Sequence, residues 1–272
     1  MQSSSGERPE AATLARLYDL DLVEDPGDLD LYLALASRSG DPVLELAAGT
    51  GRLAVPLAAA GHRVTAVDID PAMLERARFR ASAAGPETEG RIEFVEADLL
   101  GLELPGAGAF RLAFIALNSL FLLATRDAQR DAFRTMARHL APGGLAVVDV
   151  WLPGADDLAR FDGRLILEYE RTDAGTREVV TKVAAAQHDA SNGVVSLTAI
   201  YESGAQGAAP TRVVRRDALR LVSAGELRDY AEAAGLVVET VAGTYDLDPI
   251  GPESDRAILI ARRDAPPLTR RP

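Results

Sequence analysis

The stretch Val43-Leu44-Glu45-Leu46-Ala47-Ala48-Gly49-Thr50-Gly51-Arg52 carries an apolar run directly into a glycine turn and then into a helical pattern. Gly49 and Gly51 let the backbone turn sharply and approach a ligand where a β-carbon would intrude. Taken as Gly49-x-Gly51-x-x-Ala54, the spacing also fits the dinucleotide fingerprint, which tolerates Ala in the last place. The neighbouring acids weigh against that reading. Glu45 lies just upstream of the turn, Asp68 ends the next apolar run, and Asp98 follows the third in Val95-Glu96-Ala97-Asp98-Leu99. Asp68 stands about 20 positions after the first glycine, where a ribose-binding acid belongs. At the carboxyl ends of adjacent parallel strands, the three acids converge on the crevice where open α/β sheets bind ligands. A ligand with a diol, an exocyclic amine and a positive charge suits them better than a pyrophosphate. Arg52 is the only basic residue near the loop. Glu45 either caps the turn through backbone N–H groups or touches the ligand, and Asp98 either contacts the ligand or closes its own turn.

Outward from this turn, short apolar runs at Val43–Leu46, Arg63–Asp68, Ile92–Val95, Leu112–Leu117 and Leu145–Trp151 alternate with helical patterns. Such alternation predicts a Rossmann-like α/β fold, a parallel sheet with helices on both faces. Asp70 before Pro71 reads as a helix N-cap. Phe133, Met136, Ala137 and Leu140 line one helical face that Pro142-Gly143-Gly144 terminates. After Trp151 the texture changes. Leu165–Arg171, Glu178–Ala185, Val194–Tyr201 and Arg212–Leu221 are β-prone and separated by turn-forming residues, which predicts an inserted antiparallel β subdomain after the fifth strand. Ser223-Ala224-Gly225-Glu226 matches a capping box, and Leu236–Val241 and Ala257–Ala261 return as the last two strands. The core is therefore expected over 41–159 and 222–263, the insertion over 160–221, a separate N-terminal helical segment over 1–40, and a disordered tail over 264–272.

The 272 residues are 47% hydrophobic and 26% charged, with 41 acidic against 29 basic side chains and a formal charge of -12. That balance argues against a phosphate-backbone partner, since binding DNA or RNA needs a local excess of Lys and Arg. No apolar run approaches a bilayer span, and the N-terminus lacks a signal pattern, so a cytoplasmic protein without a membrane partner is expected. With no cysteine in the chain, thiolate metal sites and cysteine nucleophiles are excluded, and no metal site is expected.

The combination LELAAGTGR, VTAVDIDPAML, FVEADLL, ALNSLF and HLAPGGLAVVDVW resembles the class I S-adenosylmethionine-dependent methyltransferases of the small-molecule branch, well over residues 42–151 and loosely elsewhere. The resemblance implies a seven-stranded sheet with its last strand antiparallel and S-adenosylmethionine as cofactor, with S-adenosylhomocysteine as product. It further implies that Ala47, Gly49 and Gly51 approach the methionine part, that Arg52 reaches its carboxylate, and that Asp68 holds the ribose. Asp98 and Leu99 would contact the adenine, Ile69 and Met73 would pack on its face, and Leu117 and Asn118 would lie below the sulfonium. In similar enzymes the N-terminal segment folds over the cofactor as a lid, which makes Tyr18 a candidate near the methionine end. The acidic run from Asp19 to Asp30 reads as a solvated face.

Methyl transfer to an oxygen or nitrogen of a small acceptor draws mainly on orientation and exclusion of water. Relatives that share Asn118-Ser119-Leu120-Phe121 carry His where Leu122 stands, so a histidine base is in doubt. His62 and His139 read as structural; His188 either points at substrate or marks a surface turn. Trp151 and Asp149, with Tyr169, Tyr201, Tyr245 and Asp246, are candidates for an acceptor pocket, although Asp149 could instead cap the loop at Leu152-Pro153-Gly154. Asn118, Trp151, Asp149 and His188 are the catalytic candidates. Arg212, Arg216 and Arg220 share a strand face and either receive an anion or pair with acids. The insertion serves as acceptor-pocket wall, homodimer contact, or both. Two alternatives remain at this level: a cofactor-binding enzyme of the same fold with a different reaction, such as cyclisation, and a non-catalytic cofactor-binding protein.

Overall fold

The glycine- and proline-punctuated pattern becomes alternating strands and helices in the computed structural model, which describes residues 7–264 apart from 206 and 208. Most of the tail expected over 264–272 lies outside the described residues. In chain order the first elements are α1 (Glu7–Asp21), α2 (Leu29–Ser39), β1 (Val43–Leu46), α3 (Ala54–Ala59), β2 (Val64–Asp68), α4 (Pro71–Ala83), α5 (Pro86–Glu89) and β3 (Ile92–Glu96). After them come β4 (Phe110–Ile115), a 3-10 turn at Ser119–Leu122, α6 (Arg126–His139), β5 (Leu140–Trp151) and α7 (Ala155–Arg160). The chain continues through β6 (Ile166–Thr172), β7 (Val179–Asp189), β8 (Val194–Gly204) and β9 (Thr211–Arg220), then α8 (Ala224–Ala233), β10 (Leu236–Ala242) and β11 (Arg256–Arg263). No helix among the described residues is long and apolar enough to cross a membrane.

These elements form two compact units, one of Gly27–Leu152 with the chain from Val222, the other of the chain up to Pro26 with Pro153–Leu221. The segment expected as a single piece over 1–40 is thus shared, α2 going with the first unit and α1 with the second. In the first unit seven strands lie in the order β10-β11-β5-β4-β1-β2-β3. Strands β1 to β5 pair in parallel, while β11 runs antiparallel to both β5 and β10. This is the Rossmann-like sheet with an antiparallel last strand that the sequence predicts. Val43, Leu112, Phe114, Val147 and Ile258 are buried in one cluster with Leu31, Leu35 and Leu57 of the helices. The alternating residues Leu44, Leu46, Ala113, Ile115 and Val148 are also fully buried, so both faces of the sheet are covered.

The local signals act as expected. Asp70 Oδ1 accepts the Ala72 N–H at 2.8 Å and starts α4. Ser223 Oγ accepts the Glu226 N–H at 3.2 Å, while the Ser223 N–H donates to Glu226 Oε2 at 3.1 Å. One boundary differs: β5 begins at Leu140, which pairs with Phe110, so Leu140 belongs to the strand and not to the helical face of α6.

The second unit is a four-stranded antiparallel sheet in the order β6-β7-β8-β9. Helix α1 lies on it, with Leu17 buried against Val180, Ala199 and Tyr201. Arg16 bonds to Asp173 and, at 3.3 Å, to Glu178. Asp21 accepts the hydroxyls of Tyr169 and Tyr201 at 2.7 and 2.8 Å and pairs with Lys182 at 3.0 Å.

Candidate functional site

At the carboxyl ends of β1 and β2 the glycine turn is built on left-handed backbone: Ala47, Gly49 and Gly51 have φ of 57°, 55° and 76°. Gly51 is required for a further reason. A β-carbon there would stand 3.0 Å from Ala77 Cβ and 3.2 Å from Val55 Cγ2, so the missing side chain lets α4 close on the turn. Asp68, at the end of β2, accepts the Gly49 N–H at 2.7 Å through Oδ2 and the Asp70 N–H at 2.9 Å through Oδ1. It ties the turn to the start of α4. Burial holds its carboxyl above the ordinary range, although those N–H groups pull the other way. The Ile69 N–H is a third donor to it, which leaves the carboxylate one lone pair for a ligand.

Beside Asp68, Ile69 is 66% exposed, an unusual setting for an isoleucine at a strand end. Met73 and Leu99 are half-buried, and Asp98 is exposed with Oδ1 accepting the Leu100 N–H at 2.8 Å. The turn role considered for Asp98 is therefore present, and among the described residues its other oxygen carries no such bond.

Glu45 is buried, 4% exposed. It accepts a bond from the Ala54 N–H, yet Oε2 has no partner among the described residues. Burial pushes its carboxyl up to about 8; Arg52 opposes the shift, and Asp28 and Asp68 add to it. Arg52 does not bridge on a helix surface: its two terminal nitrogens each lie 2.6 Å from an oxygen of Asp28, which is fully buried. The expected solvated face from Asp19 to Asp30 is corrected at two positions. Asp28 is sequestered with Arg52, and Asp21 is bonded on the second sheet, because each finds a cation or hydroxyl partner.

A second network lies across β4 and β5. Asp149, fully buried, accepts the Leu117 N–H at 2.9 Å and the Tyr32 hydroxyl at 2.9 Å. Its carbonyl accepts the Asn118 N–H at 3.2 Å, and Asn118 Oδ1 accepts the Trp151 N–H at 2.5 Å. Leu117 and Asn118 are both left-handed, with φ of 47° and 66°. Two consecutive non-glycine residues in that region cost roughly 1–2 kcal/mol each, and the three bonds between the turn and β5 offset it. Asp149 therefore fastens this turn and does not cap the Leu152 loop. Burial raises its carboxyl to about 6, the Tyr32 bond opposing. Arg256 stacks over Tyr245, 4.3 Å from the ring centre, and bonds to its hydroxyl.

The structure thus gathers Glu45, Ala47, Gly49, Gly51, Arg52 and Asp68 at one turn, and joins Leu117, Asn118, Asp149 and Trp151 through backbone bonds. Tyr18 and His188 belong to the other unit: Tyr18 is half-buried on α1, and His188 is half-buried on β7, opposite Val195. Tyr169 and Tyr201 are engaged by Asp21. His139 is buried, its Nδ1 2.8 Å from the Thr135 carbonyl, and His62 lies 2.9 Å from Asp41; both are structural, as expected. Sequence reasoning missed Asp28 and Tyr32. The available signal was Arg52, one cation among acids, which needs an anionic partner somewhere.

The arrangement is that of a class I methyltransferase, and comparison with known proteins agrees. The methyltransferase domain family matches residues 43–144. The cypemycin N-terminal methyltransferase of a Streptomyces species is 30% identical over 231 residues, spanning 82% of this chain and 84% of that protein. The methyltransferase CcbJ from Streptomyces caelestis superposes with a TM-score of 0.74 at 27% identity, over 88% of this chain and 97% of that one. The sugar N-methyltransferase KedS8 from Streptoalloteichus sp shares the fold, with a TM-score of 0.70 at 21% identity over 91% and 93% of the two chains. The chain belongs to the class I S-adenosylmethionine-dependent methyltransferases. It is a methyltransferase, and its cofactor is S-adenosylmethionine.

The residues present fit that cofactor. Glu45 Oε2 is an orphaned buried acceptor, Asp68 offers a spare lone pair next to an exposed apolar side chain, and the acids Glu45, Asp68 and Asp28 outnumber the two cations at the turn, Arg52 and Arg80, the latter on Thr50. A cation with a diol and a flat heterocycle satisfies all three.

Proposed function

We propose that the enzyme moves a methyl group to a nitrogen or oxygen of a small biosynthetic acceptor, amine nitrogen being favoured. The observation that carries the site assignment is Asp68, held by the Gly49, Asp70 and Ile69 N–H groups with a lone pair to spare. Asp68 holds the ribose hydroxyls, Ile69 and Met73 cover the adenine face, and Asp98 with Leu99 meets its edge. Ala47, Gly49 and Gly51 let the backbone come close to the methionine part. Arg52, oriented by Asp28, answers its carboxylate, and Glu45 answers its positive charge. Leu117 and Asn118 border the sulfonium.

Bound S-adenosylmethionine supplies a methyl carbon already activated by positive sulfur, so the protein's task is placement. Asn118 Oδ1 is occupied by the Trp151 N–H, which leaves the amide N–H groups to orient an acceptor. Asp149 is fully buried with both oxygens bonded, so it positions the Leu117–Asn118 turn and takes no proton from an acceptor. Half-buried Trp151 helps to exclude water. An amine that arrives unprotonated needs no base, and it loses its proton to solvent after methylation. The relatives named for an N-terminal amine and a sugar nitrogen support the amine reading.

Calorimetry with S-adenosylhomocysteine tests the site: Asp68→Ala should lose most of the affinity, and unchanged affinity would remove the assignment. Methyl-labelled cofactor offered with paired amine and hydroxyl acceptors tests the chemistry. Label is expected on the amines; label only on hydroxyls would move the reaction to oxygen.

A further inference from the structure

The amino ends of the parallel strands, opposite the glycine turn, hold a cavity that methyl transfer does not use. The chain crosses from β1 to β2 through α3, from β2 to β3 through α4 and α5, and from β4 to β5 through α6. The crossover from β3 to β4, residues 97–109, contains no helix. Such crossovers are ordinarily helical, but here Pro105 and the left-handed Gly101, Gly106 and Gly108 break the pattern. Val64 and Ala66 of β2 point into the main core cluster, so Thr65 between them faces the opposite side of the sheet. A cavity of about 430 Å³ opens there, lined by Thr65, Ile92, Leu104, Pro105 and Phe110 and by the exposed side chains of Arg63, Arg91 and Glu93.

Its outer wall is fixed in place. The Thr135 hydroxyl of α6 donates to the Leu99 carbonyl at 3.0 Å, and Arg138 donates to the Leu102 carbonyl at 2.6 Å. The Leu104 N–H donates to His139 Nε2 at 3.2 Å, and the Gly108 N–H to the His139 carbonyl at 2.9 Å. His139 Nδ1 faces the Thr135 carbonyl, so Nδ1 carries the proton and Nε2 accepts. Phe110 meets the same imidazole edge-on, with ring centres 6.3 Å apart. A loop held this way does not collapse into the space beside it, and the cavity exists before any ligand arrives.

We propose that this cavity binds a small apolar monoanion, a carboxylic acid with a flat ring body. The apolar lining takes the body, and the Thr65 hydroxyl gives it one polar point. The arginines take the charge. Arg91 donates to the Gly61 carbonyl at 3.0 Å and pairs with no acid among the described residues. Arg63 reaches only Asp41, at 4.0 Å, and Asp41 is already bonded to His62. Both guanidinium groups thus keep N–H groups for a carboxylate, which they can meet at two points. Glu93 sets the charge of the guest: two cations against one acid on the lining leave a single positive charge, which a carboxylate neutralises and a phosphate monoester overshoots. The cofactor site lies at the other ends of the same strands, so the inference does not depend on how the cofactor is held.

Naphthoate is the probe, titrated calorimetrically into protein saturated with S-adenosylhomocysteine so that the cofactor site is filled. Binding is expected, and Arg91→Ala and Arg63→Ala should each weaken it about fivefold or more. Ala109→Trp, which sets an indole on the exposed wall, should abolish it. Naphthalene methanol, with the same ring and no charge, should bind about tenfold more weakly than the acid. Affinity for S-adenosylhomocysteine should be unaltered in all three variants, which reports that they are folded. No naphthoate binding to the unmodified protein, undiminished binding to Ala109→Trp, or equal binding of acid and alcohol would overturn the proposal. Tighter binding of naphthyl phosphate than of naphthoate would overturn the monoanion assignment. If Ala109→Trp loses S-adenosylhomocysteine, the arginine variants decide: full naphthoate affinity in both removes the site.

Discussion

The two units treat their acids in opposite ways. On the antiparallel sheet, Asp21 meets Lys182 and two tyrosine hydroxyls. Burial alone would raise Asp173, but Arg16 and the Gly175 and Thr176 N–H groups bring its carboxyl below the ordinary range. In the seven-stranded unit burial prevails, and Asp68, Asp149 and Glu45 are all pushed up. A folded chain that leaves Glu45 Oε2 buried without a partner carries a cost of about 1–3 kcal/mol in the absence of ligand. Asp149, bonded at both oxygens, and Asp28, paired with Arg52, hold this unit together as the paired acids hold the other; Glu45, with its unpartnered oxygen, marks where a cation fits.

The sharpest way to break this contrast is to remove an underpaired acid and ask only about ligand. Asp68→Ala should weaken S-adenosylhomocysteine binding about 100-fold, close to 3 kcal/mol, while the ligand-free protein, whose Gly49 and Asp70 N–H groups lose their acceptor, melts a few degrees lower and still cooperatively. If melting collapses while binding in the surviving fraction is normal, Asp68 belongs with the structural acids.

Glu45 gives the next effect, and its sign is set by the direction of the shift. An acid raised to about 8 in the folded protein and ordinary in the unfolded chain makes the folded state bind more protons between those values. Its stabilising contribution is complete at low pH and is lost as pH climbs through 8. Asp149, raised to about 6, adds a loss that is finished earlier. Between pH 6 and 8 Glu45 therefore dominates, and Glu45→Gln should remove about 2 kcal/mol of the decline in unfolding free energy over that window. Denaturant titrations at the two pH values measure it; an unaltered slope would show that Glu45 is ionised in the folded protein.

On the other unit the expectation reverses. Arg16→Ala strips Asp173 and Glu178 of their cation, and should destabilise by roughly 1–2 kcal/mol. That is less than a fully buried pair would cost, because Arg16 stays 19% exposed. Cofactor binding measured at a temperature well below melting should not change.

How much of this could be read in the sequence follows the range of the interactions. The glycine turn, the caps at Asp70 and Ser223 and the four inserted strands are set by residues within a turn or a strand length, and the sequence reading found them. The Arg52–Asp28 pair spans 24 positions and the Tyr32–Asp149 bond spans 117. Nothing local distinguishes Asp28 from the exposed acids around it, and Asp149 looked like a pocket residue because its partners, Tyr32 and the Leu117 N–H, are supplied by topology. The same holds for α1. Its amphipathic pattern announces a helix with an apolar stripe, but the sheet that receives the stripe begins more than a hundred residues later.

The smallest effect tests the paired side of the contrast at its weakest point. Arg212, read from sequence as part of a possible anion-binding face, pairs with Glu202 across β8 and β9. Arg216 on the same face is exposed, and Arg220 is buried, 4% exposed. The face does not present three equivalent arginines to solvent. Arg212 is 65% exposed and Glu202 is 37% exposed, so water screens the pair and the long side chain loses entropy in holding it. Arg212→Ala should then change the unfolding free energy by less than about 0.5 kcal/mol. It should also leave the Michaelis constant for an anionic acceptor unaltered. A several-fold rise in that constant, with stability unchanged, would show that Arg212 belongs to an acceptor site, and that pairing on this sheet conceals a ligand role.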